Sequence, residues 1–246
     1  MKNYKLTIEY DGTGFYGWQR QQDRLTVQGE LERVLSVIFN QETRIHGAGR
    51  TDAGVHAIAQ VASFTSDTRI SCADLKKSLN SMIKHPIVIH DCAVVPDDFH
   101  AQYSAASKEY HYRILNRETP CAIQRNFQWH VRHPLDVDAM NSCCDWIIGA
   151  HDFKSFENTG SPRTHTTREI LSGHWQVDAT DLLVFKIAGT GFLKYMVRNL
   201  VGTMVLAGQH KISVNSVKKI LDGRDRKLAG PTAPAHGLFL MQINYP

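Results

Sequence analysis

Tyr4-Lys5-Leu6-Thr7-Ile8-Glu9-Tyr10 alternates apolar and polar residues without a break, which is the period of a strand buried on one face. Reading outward from it, a Gly-rich, aromatic loop leads to Leu31, Val34, Leu35 and Ile38 at helical spacing, with Thr26 placed to cap the helix. Residues 42–48 read as a strand, residues 49–54 as a loop, and residues 59–65 as another strand. Ser71 opens a second helix with Asp74 at capping-box spacing and Leu75, Leu79, Met82 and Ile83 inward. Ile87 to Val95 closes the series as a strand. The order is β-α-β-β-α-β, the split unit of ferredoxin-like domains.

Residues 96–108, with Pro96, two aspartates and several Ala and Ser, read as a linker. The second half repeats the grammar more loosely. Strands are predicted at 110–115, 170–177, 182–187 and 238–243, and helices at 137–148, 193–207 and 214–221. The stretch 149–167 reads as a functional or covering loop. The predicted class is α+β: two ferredoxin-like or RRM-like halves, their antiparallel sheets side by side with a cleft between. Residues 1–103 form the N-terminal domain and 104–246 the C-terminal one.

The chain of 246 residues is 42% hydrophobic and 21% charged, with a formal charge of +4. Such a composition supports an ordinary buried core and leans mildly toward polyanionic partners. Five cysteines without a CxxC pair predict reduced core thiols rather than a zinc site. Neither a signal-peptide h-region nor an apolar run long enough for a membrane is visible, so a cytoplasmic protein is expected. The phosphate-loop and dinucleotide fingerprints are also missing.

The most specific segment is His46-Gly-Ala-Gly-Arg50-Thr-Asp52-Ala-Gly-Val-His56-Ala57. Glycines permit unusual backbone conformations. Among them stands one carboxylate, Asp52, with Arg50 two residues before it and His56 four after. A nearby guanidinium favours the ionised acid, and in a water-poor site that acid is a useful nucleophile or base. The alternative is structural: Asp52 caps a short helix that begins after it, with His56 one turn along.

The string Gly49-Arg-Thr-Asp-Ala-Gly-Val-His-Ala57 resembles the active-site motif of the TruA family of tRNA pseudouridine synthases. Glu9-Tyr-Asp-Gly-Thr-Gly-Phe-Tyr-Gly-Trp-Gln-Arg20 resembles that family's first segment. Val95 to Ala101 and Lys108 to Ile114 resemble its middle segments, and Met196-Val-Arg-Asn199 with Gly237-Leu238 its C-terminal ones. The resemblance implies the pseudouridine synthase fold and the isomerisation of uridine to pseudouridine, with neither cofactor nor metal.

By the same resemblance Asp52 is the catalytic residue, and Tyr110 stacks on the flipped target base. Tyr112 would face the same side of the strand, and both read equally as core aromatics without the resemblance. Arg198 matches an arginine that pairs with the catalytic aspartate, the alternative being a side chain that snorkels to water. Leu238 matches an aliphatic residue beside the base and otherwise reads as core. Arg50 is assigned to substrate or loop positioning. The implied substrate is the anticodon stem-loop of tRNA, at nucleotides 38 to 40, and the implied assembly is a homodimer. Arg20, Arg24, Lys108, Arg113, Arg163 and Arg168 are candidates for contacts to RNA, each also readable as a solvated charge. Two rival classes are a catalytically silent RNA-binding module and a carboxylate hydrolase. The hydrolase would need a second acid beside the first, and none adjoins Asp52 in the sequence.

Overall fold

The computed structural model describes residues 1–158, 165–178 and 181–246. Arg163 lies outside the described residues. In chain order the elements are β1 (Lys2–Tyr10), α1 (Val27–Phe39), β2 (His46–Gly47), β3 (His56–Ser66), α2 (Cys72–Met82) and β4 (Ile87–Val95). They continue with β5 (Ser107–Asn116), β6 (Trp129–Val131), α3 (Val137–Cys144), β7 (Gly149–Asp152), β8 (Thr167–Asp178) and β9 (Leu182–Gly189). The last are α4 (Met196–Gly208), α5 (Val214–Gly223) and β10 (Leu238–Asn244). The chain divides into two compact units, Met1–Ala106 with Phe239–Pro246, and Ser107–Leu238. Each is α+β with a mainly antiparallel sheet, in keeping with the predicted class.

In the first unit β1 runs between β4 and β3, antiparallel to both, and β2 pairs with β3. That arrangement is the expected β-α-β-β-α-β sheet. Tyr4, Leu6, Ile8 and Tyr10 are all buried, as the alternation requires. β10 adds a parallel neighbour to β3, pairing Phe239 with His56 and Leu240 with Ala57. The sequence gives no register for that pairing. The Thr26 side chain accepts from Gly29 N at the start of α1, and Ser71 does the same from Asp74 N at the start of α2. The inward residues of α1 are Leu31, Val34 and Leu35, and those of α2 are Leu75 and Leu79. Met82 and Ile83, expected inward, are only half-buried.

One expectation for this unit is corrected, and another gains detail. The strand predicted over 42–48 shrinks to His46–Gly47, because the backbone before it bonds to α1 instead. Thr43 N donates to Ser36 Oγ at 3.0 Å and Ile45 N to Glu32 Oε1 at 3.1 Å. The predicted linker, 96–108, contains the boundary between the units at Ala106 and Ser107, and its first part is tied to the first unit. Asn3 Nδ2 donates to the carbonyls of Pro96 (3.0 Å) and Phe99 (2.7 Å), and Ala101 N donates to Ser63 Oγ at 3.1 Å. Small polar residues there mark backbone tied down by side chains, which carries no hydrophobic period.

In the second unit the strand order is β5-β9-β8-β7, antiparallel throughout, with β6 parallel to β5. β6 and β7 were not foreseen, being three and four residues long. α3 ends at Cys144 rather than 148, and α4 starts at Met196 rather than 193. The late start has a visible cause. Tyr195 adopts φ 66° and ψ 0°, a left-handed conformation that a helix cannot include. All five cysteines are free thiols, three of them buried. Among the described residues no helix is long and apolar enough to cross a membrane.

The cap on α1 is testable. Thr26→Ala should destabilise the protein by about 1 kcal/mol, read as a lower urea midpoint at an unchanged slope.

Candidate active site

Asp52 sits between β2 and β3, half-buried, at the first position of a tight turn. Val55 N donates to Asp52 O at 3.1 Å, and Gly54 takes φ +79°, as the third residue of a type II turn does. This decides against the helix-capping alternative. No helix follows Asp52, and His56 is the first residue of β3.

The turn is gripped by the loop that follows β1. Trp18 N donates to Thr51 O at 3.1 Å, and Gly54 N donates to Phe15 O at 3.3 Å. The Tyr10 hydroxyl bonds the Thr51 hydroxyl at 2.7 Å, and Gly12 N donates to His56 Nδ1 at 3.0 Å. Contacts so close require backbone without a side chain at one point. Gly17 has φ +86°, and a methyl added there would stand 2.6 Å from Thr51 O and 3.1 Å from the Asp52 carbonyl carbon. On the upstream side of the turn, Gln60 Nε2 donates to Gly49 O at 2.9 Å and Ala48 N to Val61 O at 2.8 Å. The residues flanking Asp52 are therefore fixed by hydrogen bonds from β1's loop and from β3.

The gripping loop is itself secured to α1. Val27 N and Gln28 N donate to the carbonyls of Gly17 and Trp18. The buried Gln28 amide accepts from Arg20 N and Gln19 Nε2, and donates to Glu32 Oε1 and Ile45 O. Trp18 is buried at 2% exposure, and its ring belongs to the core. Phe15 is buried likewise.

His56 is buried, and its ring stacks on Phe239 at 4.7 Å. Its Nδ1 faces both the Gly12 N–H and Asp11 Oδ1, at 3.0 and 3.1 Å. One nitrogen cannot accept from the first while donating to the second. Asp11 Oδ1 already accepts from Thr13 N and Oγ1, whereas the Gly12 amide points at the ring. The Gly12 N–H contact ties the His56 ring to the loop after β1, and the ring braces the turn. The Tyr10 phenol is pushed up to about 12 by burial, with its hydrogen bonds to Thr51 and Gln60 pulling the other way.

Arg50 is exposed on the same loop. In the second unit, the two candidate tyrosines separate. Tyr112 is fully buried, its hydroxyl donates to Pro234 O at 2.7 Å, and its ring meets Trp129 edge-on. Burial pushes its phenol far above the ordinary range. Tyr112 is thus a core residue. Tyr110 lies on the same strand, mostly buried, with its ring edge-on to Phe192 at 5.1 Å.

Arg198 is anchored rather than snorkelling. Its Nε donates to Ala233 O at 2.8 Å, Ala233 N returns a bond to Arg198 O at 3.1 Å, and the guanidinium lies 4.7 Å over the Tyr195 ring. The segment it holds is fastened to α4 by more than this pair. Asn199 Oδ1 accepts from Thr232 Oγ1 and Arg226 Nη2, and Thr203 Oγ1 accepts from Gly230 N. Leu238 is buried at the first residue of β10. Thr51 stood in the sequence only as part of the Asp52 motif, and Phe192, Tyr195 and Gln60 were not singled out. Of these three, Tyr195 carried a signal, an aromatic three residues before Arg198 at the head of an apolar helix.

The candidate phosphate contacts differ in how committed they already are. Arg20 lies 3.6 Å from Glu32, and Arg24 bonds the Tyr16 hydroxyl at 3.0 Å while stacking over its ring. Burial, then the nearby Arg168 charge, lowers the Lys108 ammonium below its ordinary value.

A family model described as tRNA pseudouridine synthase matches residues 6–104 and 144–246. The chain belongs to the tRNA pseudouridine synthase family. Members of this family are isomerases acting on uridine in tRNA. The match spans Asp52, Arg50, Arg198 and Leu238, while Tyr110 falls between its two segments. A tRNA pseudouridine synthase A 1 from Desulfotalea psychrophila is 44% identical over the full length of both chains. Tumbling no further than 40% and 41%, relatives named tRNA pseudouridine synthase A from a Thermoanaerobacter species and from Acetivibrio thermocellus also align over the full length of both. A solved H/ACA RNP bound to a substrate RNA aligns at 13% identity and a TM-score of 0.36, over 82% of this chain and 43% of that one.

Two outcomes test the brace. Gly17→Ala should lower turnover at least about tenfold by forcing the turn to shift, while Gly14→Ala, which has open space, should leave it within about twofold. The Tyr10 phenol has a folded value above its ordinary 10.0. The stability this confers is intact below pH 10 and lost as pH rises toward about 12. Tyr10→Phe should flatten that alkaline loss in urea titrations run at successive pH values.

Proposed function

We propose that the protein converts uridine to pseudouridine in the anticodon stem-loop of tRNA, at nucleotides 38 to 40, with Asp52 as the catalytic nucleophile or base. The observation that carries this reading is the hydrogen-bonded grip on the Asp52 turn. A carboxylate that served only to cap or to stay soluble would not need its flanking peptides held from two sides. Rigid placement is what a group attacking one atom of a bound nucleoside requires.

The reaction breaks the C1′–N1 bond and forms C1′–C5. N1 gains a proton and C5 loses one to solvent, so no atom is gained or lost overall and no oxidant or phosphate donor is consumed. A uridine acted on in this way must leave the base stack, and Tyr110 replaces the lost stacking on the flipped base. Leu238 packs beside it, Arg198 supports the ionised carboxylate, and Arg50 positions the substrate. This gives the acid and Arg50 to the N-terminal domain, residues 1–103, and the base-holding residues to the C-terminal domain, residues 104–246. The working form is a homodimer in the cytoplasm, since a charge of +4 on one copy is a small attraction for RNA.

Tritium release from [5-³H]uridine-labelled tRNA tests the reading. Wild-type protein should release tritium, whereas Asp52→Ala and Asp52→Asn should fall by at least about a hundredfold with tRNA affinity within about threefold. Retained turnover in either variant would remove Asp52 from the chemistry. Release of free uracil in place of a C–C-linked product would make the protein a hydrolase.

A further inference from the structure

His46, His100 and Tyr103 form a short column of rings on the first unit. The His46 and His100 centroids are 5.1 Å apart, and those of His100 and Tyr103 are 4.4 Å apart at 30° between planes. The column is built by the backbone. His100 Nδ1 accepts from Gln102 N at 3.1 Å and Tyr103 N at 3.3 Å, while His100 N donates to Ser104 Oγ at 3.0 Å. Ala101, between them, is wholly buried. It bonds Ser63 on β3 through its N–H and accepts from the Tyr245 hydroxyl at 2.8 Å.

The end ring is nevertheless 80% exposed. Packing cannot account for that position, because a ring left so open gains little from burial. Phe64 and Tyr4, in the same unit, are both 2% exposed and stack on each other. The face of Tyr103 turned from His100 is open, flat and held in place before any ligand arrives. Because His100 Nδ1 takes two N–H bonds, its ring is neutral. Burial, and then the closeness of His46, also lowers its pKa. His100 therefore backs the Tyr103 ring with a π face and not with a cation.

One pre-set ring is too small a surface for a protein partner, which needs several hundred Å² of apolar contact. It is the right size for one nucleobase, whose own π face stacks on an aromatic side chain whatever its identity. His46 also opens β2, on the strand that leads into the Asp52 turn. We propose that Tyr103, backed by His100 and His46, is a stacking platform for one unpaired base of the RNA, distinct from the base that is isomerised. The proposal rests on the RNA-isomerase reading above.

Its test compares full-length wild type with Tyr103→Ala, Tyr103→Leu and Tyr103→Phe, measuring tRNA dissociation constants across a salt series together with tritium release. Tyr103→Ala and Tyr103→Leu should each weaken binding about tenfold and raise KM similarly, with kcat within about twofold. The salt slope should not change, since no phosphate contact is removed. Tyr103→Phe should match wild type. Wild-type affinity in Tyr103→Ala, full rescue by leucine, or a phenylalanine variant as weak as alanine would overturn the platform. If wild type releases tritium while Tyr103→Ala binds normally, the platform fails and the isomerase reading stands. If wild type binds tRNA without release, the isomerase reading fails, and the binding comparison still decides the platform.

Discussion

The backbone contact between the loop after β1 and the Asp52 turn is the constraint on which the first unit depends. Two short peptide segments, distant in sequence, approach so closely that Gly17 has no room for a Cβ atom. The approach leaves amides and carbonyls buried, and each must find a partner. Trp18 N with Thr51 O, and Gly54 N with Phe15 O, meet that demand. The consequence reaches beyond the turn. Gln28 ties the same loop to α1 and to the carbonyl of Ile45, so the helix, the loop and the strand leading into the turn form one connected network.

The second unit uses a related device with different chemistry. There the segment 229–234 lies on α4 through side-chain amide and hydroxyl groups, with Asn199 and Thr203 buried. Arg198 is positioned by what flanks it: Ala233 accepts its Nε proton, and Tyr195 lies beneath its guanidinium. Tyr195 keeps a left-handed backbone at the head of the helix. For a residue with a large side chain this conformation costs about 1 kcal/mol or more, and such costs gather at functional positions. Pro234, next along, accepts from Tyr112. One strand tyrosine is thereby fixed in the core, and Tyr110 is left as the member of the pair with a ring partner, Phe192, outside the strands.

Legibility in the sequence followed the locality of the forces. β1 was read from the alternation of Tyr4, Leu6, Ile8 and Tyr10, and the starts of α1 and α2 from Thr26 and Ser71, because strand period and capping are settled within a few residues. The 96–108 stretch was read as a linker and does contain the boundary between the units, but its ties to Asn3 and Ser63, far away in sequence, were not legible. β10 was foreseen as a strand, but its parallel place on β3 was not. At the site, Asp52 was visible through its motif and its loop through the glycines, whereas the choice between a turn and the alternative of a helix cap was left to the structure. The two readings differ by a Gly54 backbone angle that composition does not encode. Tyr110 and Tyr112 were indistinguishable by strand period, and the bond that fixes Tyr112 in the core reaches a residue 122 positions away.

If the Asp52 turn is held as rigid backbone, its amides should be as hard to open as the sheet around them. Hydrogen exchange of the Trp18, Gly54 and Val55 amides in the free protein measures this directly. Protection within about tenfold of that of the β1 and β3 amides is the expected result. Exchange at the rate of an open loop would contradict a pre-set catalytic turn, and would mean that the site is assembled only when RNA binds.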